Sequence, residues 1–382
     1  MAFIDGSAVT IALPAMQVDF AASFSSLQWV VNAYALMLGG LILVGGGIGD
    51  RFGRRRVFTA GIVVFALASL SCAGAPTVGA LIVARGVQGI GAALLVPQSL
   101  AIIAGAFPKE VRGRAIGIWA GASAITTALG PTLSGFLIDT LDWRAVFWIN
   151  LPLSAAAVWL ALRYIPESRD KTVSGPLDWR GGALAVLAFG LLAVALTRFA
   201  GTSGLAAGMT AGSTATNFAL LVAGIVGLVL FVRAEAVAAH PLVPLSLFGD
   251  RAFTGANIMT LFLYGALSGM LFLLPFDLIE RRGLTATQVG LCLLPIGIII
   301  GTLSRAAGAW ADRIGPRTPL ALGSMLVAVA MAGLAVGLPE LWLGVLVPLV
   351  LMALGMSIVV APLSTAVMNA APDAQSGAAS GV

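Results

Sequence analysis

Apolar stretches of about 20 residues follow one another along almost the whole chain, separated by short charged or polar segments. A helix of that length crosses the hydrocarbon core of a bilayer, which is about 30 Å thick. Charged residues make up only 10% of the sequence, and the mean hydropathy is +1.02, whereas soluble domains carry roughly 25% charged residues. We therefore predict an all-α, polytopic membrane protein embedded in a lipid bilayer.

The apolar stretches predict about twelve spans. Their approximate ranges are 2–16, 27–47, 57–75, 79–105, 115–138, 146–164, 181–200, 214–233, 253–275, 288–307, 318–337 and 343–367. Of the 21 lysines and arginines, sixteen follow even-numbered spans and four follow odd-numbered spans. Cytoplasmic loops carry an excess of basic residues, so we expect the even-to-odd loops to face the cytoplasm from a plasma (inner) membrane. This spread over short loops also argues against nucleic acid as a partner, despite a net charge of +5.

An internal repeat divides the chain into two related halves. The motif Gly46-x-x-x-Asp50-Arg51-x-Gly53-Arg54-Arg55 (the first hairpin) recurs as Gly308-x-x-x-Asp312-Arg313-x-Gly315-Pro316-Arg317 (the second hairpin). A weaker echo pairs 107–113 with 371–377. Repeated halves are common among secondary transporters. We predict an N-terminal six-helix half at 1–165, an inserted two-helix region at 166–240 and a C-terminal half at 241–382.

The charged hairpins have two interpretations. The simpler one is that their arginines only fix the orientation of the chain. The other is a conformational switch, because a carboxylate such as Asp50 can bind the positive N-terminus of a helix in the other half. Arginines can likewise bind acidic or carbonyl partners. Contacts made in one state and broken in another bias the equilibrium between the two.

Two of the charges inside predicted spans are candidates for function. Arg85 lies in the fourth span with Gln88 on the adjoining turn, and such a charge usually faces a protein interior or a water-filled cavity; the alternative is snorkelling to a nearby interface. Asp5 lies in the first span near Ser7 and Thr10. A carboxylate whose ionisation is opposed by desolvation and favoured by a nearby arginine suits reversible proton binding. The alternative for Asp5 is a solvated residue near the chain start.

The fifth predicted span is rich in glycine. Gly117-x-x-x-Gly121 and Gly130-Pro131-x-x-Ser134-Gly135 predict close helix packing around a proline bend. A plain packing helix is one interpretation, and a flexing or interface-forming helix is the one that we favour.

Motifs of other protein classes are missing from the sequence. The chain has no Gly-Lys-Ser/Thr phosphate loop, and Gly89-x-Gly91 lacks the third glycine of a dinucleotide site. Cys72 and Cys292 lie in separate apolar runs, and His240 has no second ligand beside it. We therefore expect no metal, no cofactor and no enzymatic activity.

Together these motifs resemble the major facilitator superfamily, and in particular its fourteen-span drug:proton antiporter branch. The family's hairpin signature is met by Gly46, Asp50, Arg51, Gly53, Arg54 and Arg55, and its fourth-span signature by Arg85, Gln88, Gly89 and Gly91. The antiporter signature is met by Gly130, Pro131 and Gly135, with Ser134 in place of a usual glycine. The first-span signature is met by Asp5, Ala12, Leu13 and Pro14, with Ser7 where threonine is typical. Because family members continue for two more spans and have a longer first span, we expect a chain truncated at both ends, with an incomplete C-terminal half.

The resemblance implies a fold of two pseudo-symmetric helical halves that rock about a substrate cavity. It implies export of amphipathic drugs or antibiotic-like molecules, driven by inward proton flow, with protons as the coupling ion. Arg85, Gln88 and Asp5 would serve proton coupling, while Gly121, Gly130, Pro131 and Gly135 would shape the interface that favours antiport. We expect a monomer. The alternatives are a metabolite or organic-acid transporter of the same family, and a transport-dead membrane sensor or scaffold.

Overall fold

The computed structural model describes residues 2–107, 109–169, 178–202, 211–238 and 245–370, and within these ranges it is almost entirely helical. The α-helices are α1 (Ala2–Phe20), α2 (Phe24–Phe52), α3 (Arg54–Ala73), α4 (Val78–Ala106), α5 (Lys109–Thr140), α6 (Ala145–Trp148), α7 (Asn150–Tyr164), α8 (Trp179–Thr202), α9 (Ala211–Val237), α10 (Arg251–Phe276), α11 (Ala286–Ile314), α12 (Arg317–Val336) and α13 (Val347–Ala370). A 3-10 turn occupies Leu245–Gly249, and π-helical turns occupy Asp277–Arg281 and Trp342–Leu346. The all-α prediction is confirmed.

The predicted spans coincide with helices. Ten helical stretches among the described residues are long and apolar enough to cross a membrane. Several run further than predicted: α2 continues to Phe52 and α11 to Ile314, where the sequence is already charged. Hydropathy detects the apolar part of a span, whereas a helix continues for as long as its backbone hydrogen bonds are made. The sixth span is interrupted at Ile149, between α6 and α7.

Packing groups the described residues into two compact units. Unit one comprises those within 1–2, 15–116 and 144–245, and unit two those within 3–14, 117–143 and 246–382. The predicted boundaries at 165 and 240 rest on the sequence repeat and not on packing, so they stay a prediction.

Glycines set the close helix packing of unit one. A Cβ added at Gly45 of α2 would overlap the carbonyl of Ala93 in α4, and one added at Gly91 would lie 3.0 Å from the carbonyl oxygen of Gly61 in α3. Between α8 and α2, a Cβ at Gly182 would lie 2.6 Å from a methyl of Val44. Small residues let helix backbones approach where lipid gives no hydrophobic drive to associate.

The core of unit two is a continuous apolar cluster. Buried residues from α10, α11, α12 and α13 form most of it, and Ile11 of α1 joins them. Gly323 of α12 faces Gly355 of α13, so that a Cβ on either glycine would lie 2.7 Å from the carbonyl oxygen of the other. Both cysteines of the chain, one in each unit, are buried and form no disulfide, as expected of small packing residues.

Candidate functional site

The first hairpin is a tight helix-to-helix turn in unit one. Gly53 alone separates α2 from α3, with a φ of +112° that L-residues rarely adopt. Across this turn Arg54 donates to Asp50, with Nε and the Nη2 nitrogen 2.9 and 2.8 Å from Oδ1. Arg54 also donates from Nη1 to the carbonyl of Ala101 in α4, at 3.2 Å. The predicted switch carboxylate is thus paired with an arginine of its own hairpin.

Residues following α7 support the first hairpin from outside the motif. The carbonyl of Ser168 accepts from the N–H of Arg54 at 2.8 Å, and Oε1 of Glu167 accepts from the N–H of Arg55 at 3.1 Å. Oε2 of Glu167 lies 3.8 Å from Nε of Arg55 and 3.6 Å from Nε of Arg56. The first backbone N–H groups of a helix have no partner within it, so this segment caps the start of α3.

The glycine run before the first hairpin is also held by a side chain. Gln98 of α4 is fully buried, and its Nε2 donates to the carbonyl of Gly45 at 2.8 Å and lies 3.4 Å from that of Gly46. Arg51, in contrast, has an exposed side chain. The motif residues therefore divide into a buried side that contacts α4 and an exposed basic side.

The second hairpin forms the corresponding turn in unit two. Gly315 ends α11 with a φ of +84°, and its N–H donates to the carbonyl of Ala311 at 2.8 Å. Arg313 and Arg317 have exposed side chains, while a Cβ on Gly308 would lie 3.4 Å from that of Ala361 in α13. The side chain of Asp312 lies outside what the structure describes, and so does His240.

Arg85 is a buried cation in unit one. Its side chain is in α4, and only 1% of the residue is exposed, which excludes snorkelling to the surface. Nε donates to the carbonyl of Val30 at 3.1 Å, and Nη1 donates to Oε1 of Gln88 at 2.6 Å. The guanidinium carbon lies 4.3 Å from the centre of the Tyr34 ring, within the range of a cation–π contact. These groups orient the guanidinium.

The hydrogen bonds continue from Arg85 across three helices. Nε2 of Gln88 donates to Oγ of Ser69 in α3 at 3.0 Å, and Nδ2 of Asn150 in α7 donates to the same oxygen at 2.8 Å. All four polar residues of this chain are at most 1% exposed. A buried network in which each member has a partner fixes side-chain positions strongly. Arg85 is thus a charge held in a rigid setting.

Asp5 is also buried, but it belongs to unit two. Only 1% of the residue is exposed, so it is not a solvated terminal residue. Next to it Oγ of Ser7 donates to the carbonyl of Ile4 at 3.0 Å, and Oγ1 of Thr10 donates to the carbonyl of Ser7 at 2.8 Å. A Cβ at Gly130 of α5 would overlap the Ser7 hydroxyl. The segment that carries Asp5 therefore packs directly on the Gly130-Pro131 site.

The Gly-Pro segment of α5 contacts two helices of unit two. Besides α1 at Gly130, it meets α11, where Oγ1 of Thr132 donates to the carbonyl of Gly290 at 3.1 Å. A Cβ at Gly135 would overlap the carbonyl of Ala286. Ser134, which replaces a usual glycine, is buried and donates to the carbonyl of Pro131 at 3.0 Å. The predicted interface-forming helix fits these contacts; the surroundings of Gly121 lie outside the described residues.

Sequence reasoning missed the residues that complete these arrangements. Ser69 and Asn150 complete the Arg85 network, Glu167 and Ser168 support the first hairpin, and Asp139 lies at the end of α5 beside the start of α11. Isolated polar residues inside apolar runs were the available signal for Ser69 and Asn150. An acidic residue in the last turn of a helix, where the helix dipole disfavours it, was the signal for Asp139.

The fold and these sites define a multi-pass helical membrane protein of the transporter type. The sequence matches the family model of the Major Facilitator Superfamily over residues 1–382, and the chain belongs to that family. It is therefore a membrane transporter, and no catalytic family is indicated.

Named relatives and solved structures agree with this assignment. The chain is 35% identical to the "Multidrug resistance protein Stp" of Mycobacterium tuberculosis, in an alignment that covers all of this chain and 70% of that protein. It is 30% identical to the "Tetracenomycin C resistance and export protein" of Streptomyces glaucescens, and that alignment also covers all of this chain and 70% of the relative. A POT family transporter crystallised with 5-aminolevulinic acid superposes on 99% of the chain and 84% of its own length, with a TM-score of 0.70 at 14% identity. That likeness supports the fold alone.

Proposed function

We propose that this protein is a proton-coupled exporter of amphipathic, antibiotic-like molecules that works by alternating access. The observation that carries the proposal is the buried, rigidly held cation Arg85. An ionisable residue inside a membrane domain costs free energy, and such residues mark substrate or ion pathways. The buried carboxyl of Asp5 supplies a group that can take up and release a proton. The resistance and export proteins among the relatives support the substrate class.

In the proposed cycle, Asp5 binds a proton from the outer side and releases it inward, while substrate moves in the opposite direction. We assign Arg85 to proton coupling as well, with Gln88 fixing the orientation of its guanidinium. We place the even-to-odd loops, and with them both hairpins, on the cytoplasmic face of the inner membrane. The helical pair α8–α9, packed through α8 on α2, supports assignment to the fourteen-span branch.

Dye efflux from cells that express the protein tests this function. We expect efflux of a fluorescent amphipathic dye that a protonophore abolishes, and a raised tolerance to amphipathic antibiotics. Asp5→Asn and Arg85→Ala should each lower efflux at least about tenfold, which corresponds to about 1.4 kcal/mol, while membrane insertion stays intact.

Two variants provide matched controls. Asp19→Asn removes a carboxylate from the other end of α1, where Asp19 is partly exposed and pairs with Arg144 at 3.0 Å. Arg163→Ala removes an exposed arginine at the end of α7. Both should transport normally. Efflux that persists in the Asp5 and Arg85 variants would overturn the roles of these residues. Efflux that the protonophore does not reduce would overturn proton coupling. Uptake of organic acids alone would favour a metabolite transporter.

A further inference from the structure

The end of α5 and the start of α11 form a regular antiparallel seam within unit two. Gly290 meets Pro131 and Thr132, and four residues away along each helix Ala286 meets Gly135. A Cβ at Gly290 would lie 2.6 Å from the Cα of Thr132, so the two backbones are in direct contact. One turn beyond Gly135, this seam ends at Asp139.

Asp139 supplies the missing hydrogen-bond acceptors at the start of α11. Its Oδ1 accepts from the N–H of Ala286 at 3.1 Å, and its Oδ2 accepts from the N–H of Thr287 at 2.8 Å. The next N–H, that of Gln288, is bonded by Oγ1 of Thr285 in a capping box. The first turn of a helix has no acceptors of its own for these groups. A side chain 147 residues away in sequence therefore completes the cap of α11.

The position of Asp139 is unfavourable for its own helix. It lies in the last turn of α5, where the partial negative charge of the helix end repels a carboxylate, whereas the N-terminus of α11 attracts one. Burial raises the pKa of Asp139, but hydrogen bonds from Thr287, Thr285 and Ala286 outweigh it, so the pKa lies below its ordinary value of 3.8. The carboxylate consequently stays charged in a mildly acidic medium.

The Asp139 contact is also easy to reverse. Asp139 is an exposed residue at the helix end, so water can replace both hydrogen bonds when the helices separate. The seam itself is dry and built from backbone against backbone, because Ala286 and Gly290 are buried. The seam thus supplies shape complementarity, while Asp139 supplies a polar bond at its solvent end.

We propose that Asp139 is a detachable cap that holds the outer ends of α5 and α11 together in one state of the transport cycle. The inference rests on the proposed function, since alternating access requires the two predicted halves, one carrying α5 and the other α11, to separate at one membrane face in turn. By the lysine and arginine distribution this end of the seam faces outward. Asp139 would then be a latch of the outer gate.

Hydrogen–deuterium exchange of the purified protein, without substrate or proton gradient, tests the cap. In Asp139→Asn the charge is lost and the amide nitrogen cannot accept, so we expect the Ala286 and Thr287 amides to exchange about fivefold faster. Asp142→Asn removes an exposed carboxylate three residues further on and should leave these amides unchanged. Unchanged exchange in Asp139→Asn would overturn the proposed cap.

A distance measurement separates a latch from a static cap. Spin labels at two exposed positions, Leu141→Cys just after α5 and Glu280→Cys in the turn before α11, report the separation of the two helix ends when Cys72 and Cys292 have been replaced. We expect Asp139→Asn to move population to longer distances, and Asp139→Glu to restore part of the short-distance population. Unchanged distances together with faster exchange would show a static cap and overturn the latch. Neither readout needs export, so a failure of the proposed function is recognised separately by the efflux assay.

Discussion

The two hairpins use the same turn but differ in what surrounds it. In both, a glycine with positive φ, Gly53 or Gly315, follows the last residue of a long helix and donates its N–H to the carbonyl four residues earlier. These hydrogen bonds measure 3.0 Å to Gly49 and 2.8 Å to Ala311. Two helices can be joined by so short a turn because glycine adopts this backbone conformation without a steric penalty. The repeated motif therefore encodes the turn.

The surroundings of the first turn come from outside the motif. A Cβ at Gly53 would lie 2.7 Å from Oε1 of Glu167, whereas a Cβ at Gly315 would meet open space. At the first hairpin, Ser168 and Glu167 also accept from the first two N–H groups of α3. At the second, Pro316 precedes α12 and has no N–H to satisfy. A repeat in sequence thus predicts similar local geometry, but it does not predict similar contacts with the rest of the chain.

The largest expected difference between the hairpins is in Gly→Ala substitution. Gly315→Ala should cost about 1–3 kcal/mol, because alanine is strained at this backbone conformation. Gly53→Ala should cost more than Gly315→Ala, because the new methyl must also displace the Glu167 carboxylate. Denaturant unfolding in detergent, followed by tryptophan fluorescence, measures both.

A double-mutant cycle isolates the part of that cost that belongs to Glu167. In a Glu167→Ala background, the effect of Gly53→Ala should fall toward that of Gly315→Ala, whereas Gly315→Ala should cost the same in either background. If Gly53→Ala costs the same with and without Glu167, the difference in cost between the two turns comes from backbone strain alone.

Much of the fold could be predicted because apolar length and turn chemistry are local signals. Every predicted span has a helix over it, and the positive-φ glycines fall within the two predicted hairpins as well as at Gly283 and Gly337. The ends of α2 and α11 were missed because charged residues that lie outside the apolar core still belong to the helix. The break at Ile149 was missed as well, although Pro152, which has no N–H to donate to the carbonyl of Trp148, marks the place in the sequence.

The candidate site could be predicted only in part. The sequence places Arg85 and Gln88 on adjoining turns of one helix, and residues three apart on a helix lie on the same face, as their hydrogen bond shows. Ser69 and Asn150 complete the network. Ser69 lies 19 positions before its partner Gln88, and Asn150 lies 81 positions after its partner Ser69. Glu167 is 112 positions from Arg55. Such pairings depend on tertiary packing, which no local pattern in one sequence specifies.

A smaller effect is expected from Glu167→Gln, which keeps the shape of the side chain but removes its charge. The amide oxygen can still accept from the N–H of Arg55, but the attraction to Arg55, Arg56 and the start of α3 is lost. These groups are partly exposed, so we expect a loss of about 0.5–1 kcal/mol, measured by the same unfolding assay. Glu340→Gln alters an exposed carboxylate and should change stability by less than about 0.5 kcal/mol; equal losses in the two variants would contradict a specific support of the first hairpin.

The smallest expected effect separates the exposed arginines of the two hairpins. The side chain of Arg56 is 77% exposed and its Nε lies 3.6 Å from Glu167, an ion pair that solvent and salt screen strongly. Arg56→Gln should therefore cost at most about 0.5 kcal/mol at low salt and nothing measurable near 1 M salt. Arg317→Gln, at an exposed position of the second hairpin, should have no effect at either salt concentration. A loss of stability in Arg56→Gln that does not depend on salt would mean that Arg56 acts through packing of its aliphatic carbons, because salt screens an ion pair as exposed as this one.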